Sequence, residues 1–355
     1  MDFIQIDYPQ SDIAVVSLNR PERMNAMAFD VMVPLKETLE SLNDNNAIRV
    51  IILTGTGAGF CSGADLEDPG YLSCFDGLTL PAIARRAMQI LEDVSATMRR
   101  LRQPVIAAVN GAAIGGGFCL AMAADIRLAS KSAYFRAAGI NNGLTSAELG
   151  LSYLLPRAIG SSRAFEIMLS GRDVSGEEAD RIGLVSQVLD DDDLLPEAIR
   201  QAQRIAQYSG IGVEMSKQLL WGSLEAGGLD SHMRQEGNAQ LFVRMTTHNF
   251  EEAIKLAKEQ LPTANRLDQS ELNKIIGESY FNLGQFDEAL PYLKEYRGKR
   301  GKWTNTDYYQ LGYAYYKQGD YDSAIGEFNK IIDGKNSVAQ NAYYHLADAY
   351  LQTGK

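Results

Sequence analysis

The sequence predicts an α/β domain over residues 1–258, followed by an all-helical segment. Up to about Ser162, short β-type runs such as IAVVSL (13–18), VIILTG (50–55) and PVIAAVNG (104–111) alternate with helical patterns. Two of those patterns, at 29–42 and 82–101, repeat apolar residues at the spacing of one helix face. After Ser162 the strand signals nearly stop, and glycine-ended helical patterns follow. Together these observations predict an α/β core with a helical tail.

Composition excludes several classes of function. The chain has 355 residues, of which 45% are hydrophobic and 22% charged, and a formal charge of −11. It has no apolar run near the roughly 20 residues of a membrane span and no Lys/Arg block, so we expect no membrane and no nucleic acid partner. The N-terminal alternation predicts a strand and not a signal peptide, and three unpaired cysteines suit a reducing compartment, which together favour the cytoplasm. The three histidines are scattered, which argues against a zinc site.

A repeat of 35 residues follows the α/β domain. Each copy has a small residue, an aromatic residue three positions later and a turn glycine, and the first two copies add a further small residue: Gly277, Tyr280, Gly284 and Ala289; Gly312, Tyr315, Gly319 and Ala324; Ala347, Tyr350 and Gly354. These positions resemble tetratricopeptide repeats, which implies paired helices and a concave face for a peptide ligand. We assign 259–270 to a linker and 271–355 to about two and a half copies. The segment is interpreted as an engineered fusion partner, or alternatively as a natural array capped by its last helix.

Two turns that contain glycine are the candidate chemical motifs. GAGFCSGADLED (57–68) and AAIGGGFCLAMAADIRLAS (112–130) each follow a predicted buried strand. Where a strand ends and a helix begins, the first backbone amides are unpaired and the helix dipole is positive. Small residues also let a ligand approach the backbone. Two such amides that meet at one point would form an oxyanion hole.

These turns, together with LNRPERMNAM (18–27), AADIRLAS (123–130) and the stretch 155–188, resemble the crotonase (enoyl-CoA hydratase/isomerase) superfamily. The chain most resembles actinobacterial, including mycobacterial, paralogues. The resemblance implies a superhelix of ββα units whose C-terminal helices form a homotrimer, often stacked as a hexamer. It also implies an acyl-CoA substrate and no separate cofactor, because coenzyme A is part of the substrate.

Carried over by position, the resemblance assigns the oxyanion amides to Ala64 and Gly116. It assigns adenine and phosphate binding to 23–26 and 62–66, which makes Arg23, Ala26, Ser62, Asp65 and Leu66 candidate coenzyme A contacts. Arg23 would contact the diphosphate, or would be a solvated loop arginine. Asp65 would shape the hole, or would only cap its own turn.

The two glutamates that move protons in the hydratases are absent. The resemblance places them at Cys119 and Gly139. Glycine carries no proton, and a thiol with a reference pKa of about 8.5 is a poor substitute for a carboxylate. Cys119 is either a small packed residue or a thiol activated by the helix N-terminus. The nearest remaining acid, Glu148, becomes the candidate proton shuttle, with a helix-start carboxylate as the alternative.

Three functions remain open from the sequence. The first is an enoyl-CoA hydratase- or isomerase-like enzyme that stabilises an enolate at Ala64 and Gly116 and moves the proton with Glu148. The second is an acyl-CoA-binding protein that has lost its acids. The third is thioester hydrolysis by a water molecule that Glu148 activates.

Overall fold

The computed structural model describes residues 3–246, 249–298, 301–332, 334 and 337–354. The chain divides into two compact units, Met1–Val243 and Arg244–Lys355. The compact units divide at residue 243, and the predicted end of the α/β domain at residue 258 stays a prediction. The predicted linker 259–270 is also largely helical, because it contains the end of one helix and the beginning of the next.

The strands of the first unit form two sheets. They are β1 (Ile4–Gln10), β2 (Ile13–Leu18), β3 (Val50–Gly55), β4 (Gly59–Cys61), β5 (Val105–Val109), β6 (Ala112–Ile114), β7 (Ile126–Ser130), β8 (Tyr134–Arg136), β9 (Val174–Ser175) and β10 (Gln187–Leu189). The larger sheet has the order β1-β2-β3-β5-β7-β10 and the smaller one β4-β6-β8-β9. All neighbours are parallel except β1–β2 and β8–β9.

The helices of the first unit connect these strands and follow them. They are α1 (Phe29–Asp44), α2 (Leu80–Arg100), α3 (Gly116–Ala123), α4 (Leu151–Ile159), α5 (Ser161–Ser170), α6 (Gly176–Arg181), α7 (Leu194–Ala206), α8 (Gly210–Ser223) and α9 (Leu229–Thr246). Three successive units of two strands and a helix are thereby built: β3-β4-α2, β5-β6-α3 and β7-β8-α4. In each unit the first strand joins the larger sheet and the second joins the smaller one, which confirms the predicted ββα architecture.

The larger sheet is buried on both faces. One face contributes to the main core, in which Leu18, Leu53 and Phe118 are fully buried. The other face carries Val15, Ile52 and their neighbours, which pack against the apolar stripe of α7. Strands buried on both sides are continuous apolar runs, as β2, β3 and β5 are. This rigid sheet holds the ends of β3 and β5, from which the candidate site extends.

The second unit is an array of helical hairpins. Its helices are α10 (Asn249–Gln260), α11 (Arg266–Asn282), α12 (Phe286–Glu295), α13 (Asn305–Lys317), α14 (Tyr321–Phe328) and α15 (Ser337–Thr353). A Cβ on Gly277 would lie 2.8 Å from Leu293, and one on Gly312 would lie 2.8 Å from Phe328. Each glycine thus allows two helices to approach closely. The turn glycines Gly284, Gly319 and Gly354 all have positive φ angles, as a helix-ending glycine requires.

No helix within the described ranges combines the length and apolar character needed to cross a membrane. Within the same ranges, no cluster of three or more His, Cys, Asp or Glu side chains is arranged to hold a metal ion.

Candidate active site

The two glycine-containing turns of the sequence meet in the structure. Gly63 lies in the turn after β4 with a φ of +86°, and a Cβ placed on it would lie 2.6 Å from the Ile114 carbonyl oxygen. The same Cβ would lie 3.4 Å from the Gly116 amide nitrogen. Only glycine permits this approach of one backbone to another. The turn that carries Ala64 is therefore packed directly against the N-terminus of α3.

The amides of Ala64 and Gly116 are both unpaired within the part of the chain that the structure describes. Among the hydrogen bonds between described residues, neither amide donates to an acceptor. Ala64 is exposed, whereas every residue of α3 is buried. Gly115 precedes α3 with a φ of 52° and turns the chain into the helix. Unpaired amides in two turns that meet, one of them at a buried helix N-terminus, can stabilise a negative oxygen, because they are fixed in place before the charge develops.

The loop between β2 and α1 holds the first turn in position. Met24 and Asn25 both adopt left-handed backbone conformations. The fully buried Asn25 donates from Nδ2 to the carbonyl oxygens of Thr56 and Gly59, and its Oδ1 accepts a hydrogen bond from the Arg20 amide. Asn25 thus fastens the loop to the connection between β3 and β4. This role could not be predicted from the sequence, in which only the polarity of one residue points to it.

Met27 joins the same loop to the turn that contains Ala64. Its amide donates to the Gly63 carbonyl oxygen at 2.7 Å, and its own carbonyl oxygen accepts from the Asp65 amide at 3.3 Å. Its side chain covers Gly116, since a Cβ there would lie 2.2 Å from Met27 Sδ. The backbone on both sides of Ala64 is consequently fixed, while the Ala64 amide itself stays unpaired.

Asp65 is the electrostatic anchor of the turn. Its side chain is 1% exposed and forms ion pairs with Arg23 Nη2 at 2.6 Å and Arg20 Nη1 at 2.9 Å. Its Oδ1 also accepts hydrogen bonds from the amides of Glu67 and Asp68. The hydrogen bond from Arg23 holds the pKa of Asp65 well below its usual range. Asp65 therefore caps its own turn, and its role in shaping the oxyanion hole stays a prediction.

The other candidate coenzyme A contacts surround this anchor. Arg23 is engaged by Asp65 and Glu67, with its guanidinium half-exposed. Ser62 donates from Oγ to the Arg23 carbonyl oxygen at 3.3 Å. Ala26 is buried and Leu66 is 76% exposed. All five candidates thus lie in the β2–α1 loop or in the turn after β4. Arg23, however, already forms ion pairs with carboxylates of the protein.

Cys119 and Gly139, which occupy the positions of the missing glutamates, are both tightly packed. Cys119 is fully buried, and burial together with the nearby Glu148 carboxylate raises the pKa of its thiol. The thiol is therefore protonated, unlike the activated cysteine that a helix N-terminus could have produced. A Cβ on Gly139 would lie 1.9 Å from the Thr145 carbonyl oxygen, so this position has no room for any side chain.

Glu148 lies beside the N-terminus of α3. A Cβ on Gly115 would lie 3.4 Å from Glu148 Oε1. The side chain is half-buried, and burial raises the pKa of its carboxyl group. Among the described residues it has no side-chain hydrogen bond or ion pair. A carboxylate that is desolvated but unpaired is a candidate proton carrier, whereas a purely structural carboxylate is normally paired.

Leu149 is held in a strained conformation next to this carboxylate. Its φ is 44°, which is uncommon for a residue with a branched side chain, and Gly150 follows with a φ of 89°. The Leu149 Cδ1 atom would lie 3.5 Å from a Cβ on Gly116. Strain of this kind is concentrated at functional sites. No sequence pattern marks it, because leucine is not a residue type that favours positive φ.

Asp125, which the sequence placed after α3, has a structural role. Its carboxylate accepts hydrogen bonds from the Val105 amide and from Trp221 Nε1, and it pairs with buried Lys217. These contacts join β5 to α8. Asp125 does not contact the two unpaired amides.

A ββα superhelix in which the turn after β4 meets the N-terminus of α3 is the fold and site of one class of α/β proteins, the crotonase class. Residues 9–264 match the family described as enoyl-CoA hydratase/isomerase, and residues 309–355 match the tetratricopeptide repeat. The chain belongs to the enoyl-CoA hydratase/isomerase family, and its C-terminal region is a tetratricopeptide-repeat segment.

Similar proteins come from mycobacteria. The probable enoyl-CoA hydratase echA12 of Mycobacterium bovis is 60% identical over 260 residues, which cover 73% of this chain and 91% of that protein. A crystal structure of a probable enoyl-CoA hydratase/isomerase from Mycobacterium abscessus has a TM-score of 0.68 and 56% identity, covering 73% of this chain and 96% of that one. A monofunctional enoyl-CoA isomerase from Mycobacterium smegmatis has a TM-score of 0.57 and 54% identity, covering 66% and 99%.

Proposed function

We propose that residues 1–243 form an enoyl-CoA isomerase that moves a β,γ double bond into conjugation with the thioester. The observation that carries this proposal is the Glu148 carboxylate beside the N-terminus of α3, which is unpaired among the described residues, with Cys119 and Gly139 where the hydratases have glutamates. One base is sufficient for isomerisation because the same proton leaves one carbon and returns to another.

The reaction balances without any further group. The amides of Ala64 and Gly116 bind the thioester oxygen, and Glu148 removes a proton from the α carbon. The electron pair of the broken C–H bond forms a dienolate whose negative oxygen the two amides stabilise. Glu148 then returns the proton to the γ carbon, and the double bond moves to the α,β position. The carboxylate ends in the state in which it began.

Hydration requires proton transfers at two places in the site. A water molecule must lose a proton as it attacks the β carbon, and the α carbon must gain one. The buried, protonated Cys119 thiol and the absence of space at Gly139 do not supply a second carboxylate. The 54% identical protein from Mycobacterium smegmatis is itself described as a monofunctional isomerase, which supports the same choice.

Coenzyme A is proposed to bind at the β2–α1 loop and the turn after β4, which the ion pairs of Asp65 join. We assign the adenine and phosphates to the surface formed by Ala26, Ser62 and Leu66. Arg23 orders this surface through Asp65 and contributes positive charge from its exposed side. The ligand is held beside Ala64, the exposed end of the proposed oxyanion hole.

A homotrimer or a hexamer is the proposed assembly. The family resemblance supports it, and Leu144, Phe165 and Leu169, which are 67%, 56% and 71% exposed, are candidate contacts of another subunit. Sedimentation equilibrium would test the assembly. A mass of one chain at micromolar concentration would contradict it.

Three optical signals separate the candidate functions of the full chain. With a β,γ-enoyl-CoA, isomerisation increases the absorbance of the conjugated enoyl thioester without releasing a thiol. With crotonyl-CoA, hydration decreases that absorbance, whereas hydrolysis releases free coenzyme A. The proposal predicts the first signal at a rate far above the other two. Saturable binding with none of the signals would instead support an acyl-CoA-binding protein.

A further inference from the structure

A cavity of about 290 Å³ lies beside the proposed catalytic turn. Six of its lining residues are Ser95, Arg99, Ala123, Leu149, Tyr153 and Leu154. Leu149 connects the cavity to the site, because the same side chain packs beside Gly116. An acyl chain whose thioester oxygen is held at Gly116 therefore has this cavity next to it.

Two buried polar atoms in the lining have no partner. Ser95 is 7% exposed, and its Oγ forms no hydrogen bond with another described residue. Arg99 Nε is also buried and without an acceptor. Both residues lie on α2, one turn apart, and both line the cavity. A buried polar atom without a partner costs free energy, so two of them on one wall of a cavity indicate a bound group with a complementary atom.

Two further contacts hold the Arg99 guanidinium group. Its Nη2 donates to Glu225 Oε1 at 3.1 Å, and its guanidinium carbon lies 4.5 Å from the centre of the Trp221 ring. These two contacts fix the plane of the guanidinium group. The Nε–H bond is a donor only, so its partner must be an acceptor, while the Ser95 hydroxyl can donate or accept.

The charges around the cavity favour a neutral acceptor. Arg99 is the only cation among the lining residues, all of which the structure describes, and Glu225 already pairs with it. Glu92 adds a further negative charge at the same wall. A carboxylate at the end of a substrate chain would be repelled here, whereas a hydroxyl or keto oxygen would not.

We propose that the site selects acyl-CoAs whose chain carries an uncharged oxygen, a hydroxyl or keto group, at the depth of Ser95 and Arg99. This inference rests on the proposed function, since it names the substrate class of the same site. A fully saturated hydrocarbon chain would bury both polar atoms without a partner and would bind more weakly for that reason.

The test compares the binding of saturated acyl-CoAs to the full chain by calorimetry. The probes are decanoyl-CoA, a set of monohydroxydecanoyl-CoAs in which the hydroxyl moves one carbon at a time along the distal half, and the analogue with a terminal carboxylate. At least one hydroxy isomer should bind about tenfold more tightly than decanoyl-CoA, as one added buried hydrogen bond predicts. Ser95→Ala should remove that preference, so that the hydroxy isomers bind no more tightly than decanoyl-CoA.

The control variant is Ser186→Ala, an exposed serine outside the cavity, which should retain the preference. Equal affinity for all probes, a preference that survives Ser95→Ala, or tighter binding of the carboxylate would each overturn the inference. Saturated chains cannot isomerise, so this result is independent of turnover. Failure to convert a β,γ-enoyl-CoA would instead contradict the proposed function.

Discussion

The thiol of Cys119 donates a hydrogen bond to the backbone carbonyl oxygen of Glu148, with 3.5 Å between the sulfur and the oxygen. The residue at one missing glutamate position thus supports the turn that carries the remaining carboxylate. Burial raises the pKa of Cys119, so the sulfur keeps the proton that it donates. The contact is consistent with a positioning role for Cys119 and with proton transfer by Glu148.

Replacement of Cys119 tests this division of roles. Cys119→Ser keeps a donor and should retain isomerase activity within about twofold. Cys119→Ala removes a weak hydrogen bond and should lower kcat/KM by roughly threefold, because the turn at Leu149 is less firmly held. Steady-state kinetics with a β,γ-enoyl-CoA would measure both. A loss of hundredfold or more in the serine variant would show that the thiol itself takes part in the chemistry.

The pH dependence of activity should report the Glu148 carboxyl group. Burial raises the pKa of Glu148 above the usual value of about 4.3, and the base must be ionised to remove a proton. We therefore expect kcat/KM to fall on the acid side with an apparent pKa above that value. The profile of kcat/KM against pH, measured on the full chain, provides the test. An acid limb below pH 4, or none in the accessible range, would disagree with a half-buried base.

The free energy of unfolding should depend on pH in the opposite sense to the activity. Because the folded-state pKa of Glu148 is raised, its contribution to stability is fully present below the unfolded pKa and is lost as the pH rises through the folded pKa. Glu148→Gln should therefore be at least as stable as the parent at pH 7 and relatively less stable below pH 4. Urea unfolding at both values would measure this. A large loss of stability at pH 7 would assign Glu148 a structural role.

Gly139 should resist substitution even by alanine. A Cβ there would lie 1.9 Å from the Thr145 carbonyl oxygen, so backbone must move, and we expect Gly139→Ala to lose about 1–3 kcal/mol of unfolding free energy. Gly222→Ala is the matched control, because a Cβ at that helical position meets nothing within 4 Å. The control should be neutral or up to ~1 kcal/mol more stable. Equal effects of the two substitutions would contradict the packing described for Gly139.

Asp65 should make the fold sensitive to acid. Its folded pKa is lowered by Arg23, so its stabilisation is fully present above the unfolded pKa of about 3.9 and is lost as the pH falls toward the folded value. Asp65→Asn should cost ~1–3 kcal/mol at pH 7, with the difference shrinking below pH 4. Glu67→Gln, which removes a 78% exposed partner of the same Arg23, should change stability little. An acid response that is the same with and without Asp65 would contradict the anchor role.

The architecture could be predicted from the sequence because buried strands and glycine turns are local patterns. The runs at 13–18 and 50–55 are strands β2 and β3, and the helical pattern at 29–42 lies within α1. The family resemblance and the repeat register at Gly277 and Gly312 are also confirmed. The boundary between the two compact units was harder to predict. The reason is that α10 matches the enoyl-CoA hydratase/isomerase family by sequence yet belongs to the second compact unit.

Details of the site that depend on distant contacts could not be predicted. Nothing in the local sequence shows that the Thr145 carbonyl fills the space at Gly139, or that Arg20 shares Asp65 with Arg23. The unpaired atoms of Ser95 and Arg99 depend on how α2 packs. The assignments of Ala64, Gly116 and Glu148 to catalysis stay predictions, which the structure supports by bringing their turns together.

The rate at which the Glu148→Gln variant converts a β,γ-enoyl-CoA into its conjugated isomer tests the account most directly. The matched control is Glu214→Gln, a half-buried glutamate on α8. We predict a loss of about hundredfold to ten-thousandfold for Glu148→Gln, with unchanged affinity for decanoyl-CoA and full activity in the control. Retention of most of the activity by Glu148→Gln would contradict the single-carboxylate mechanism.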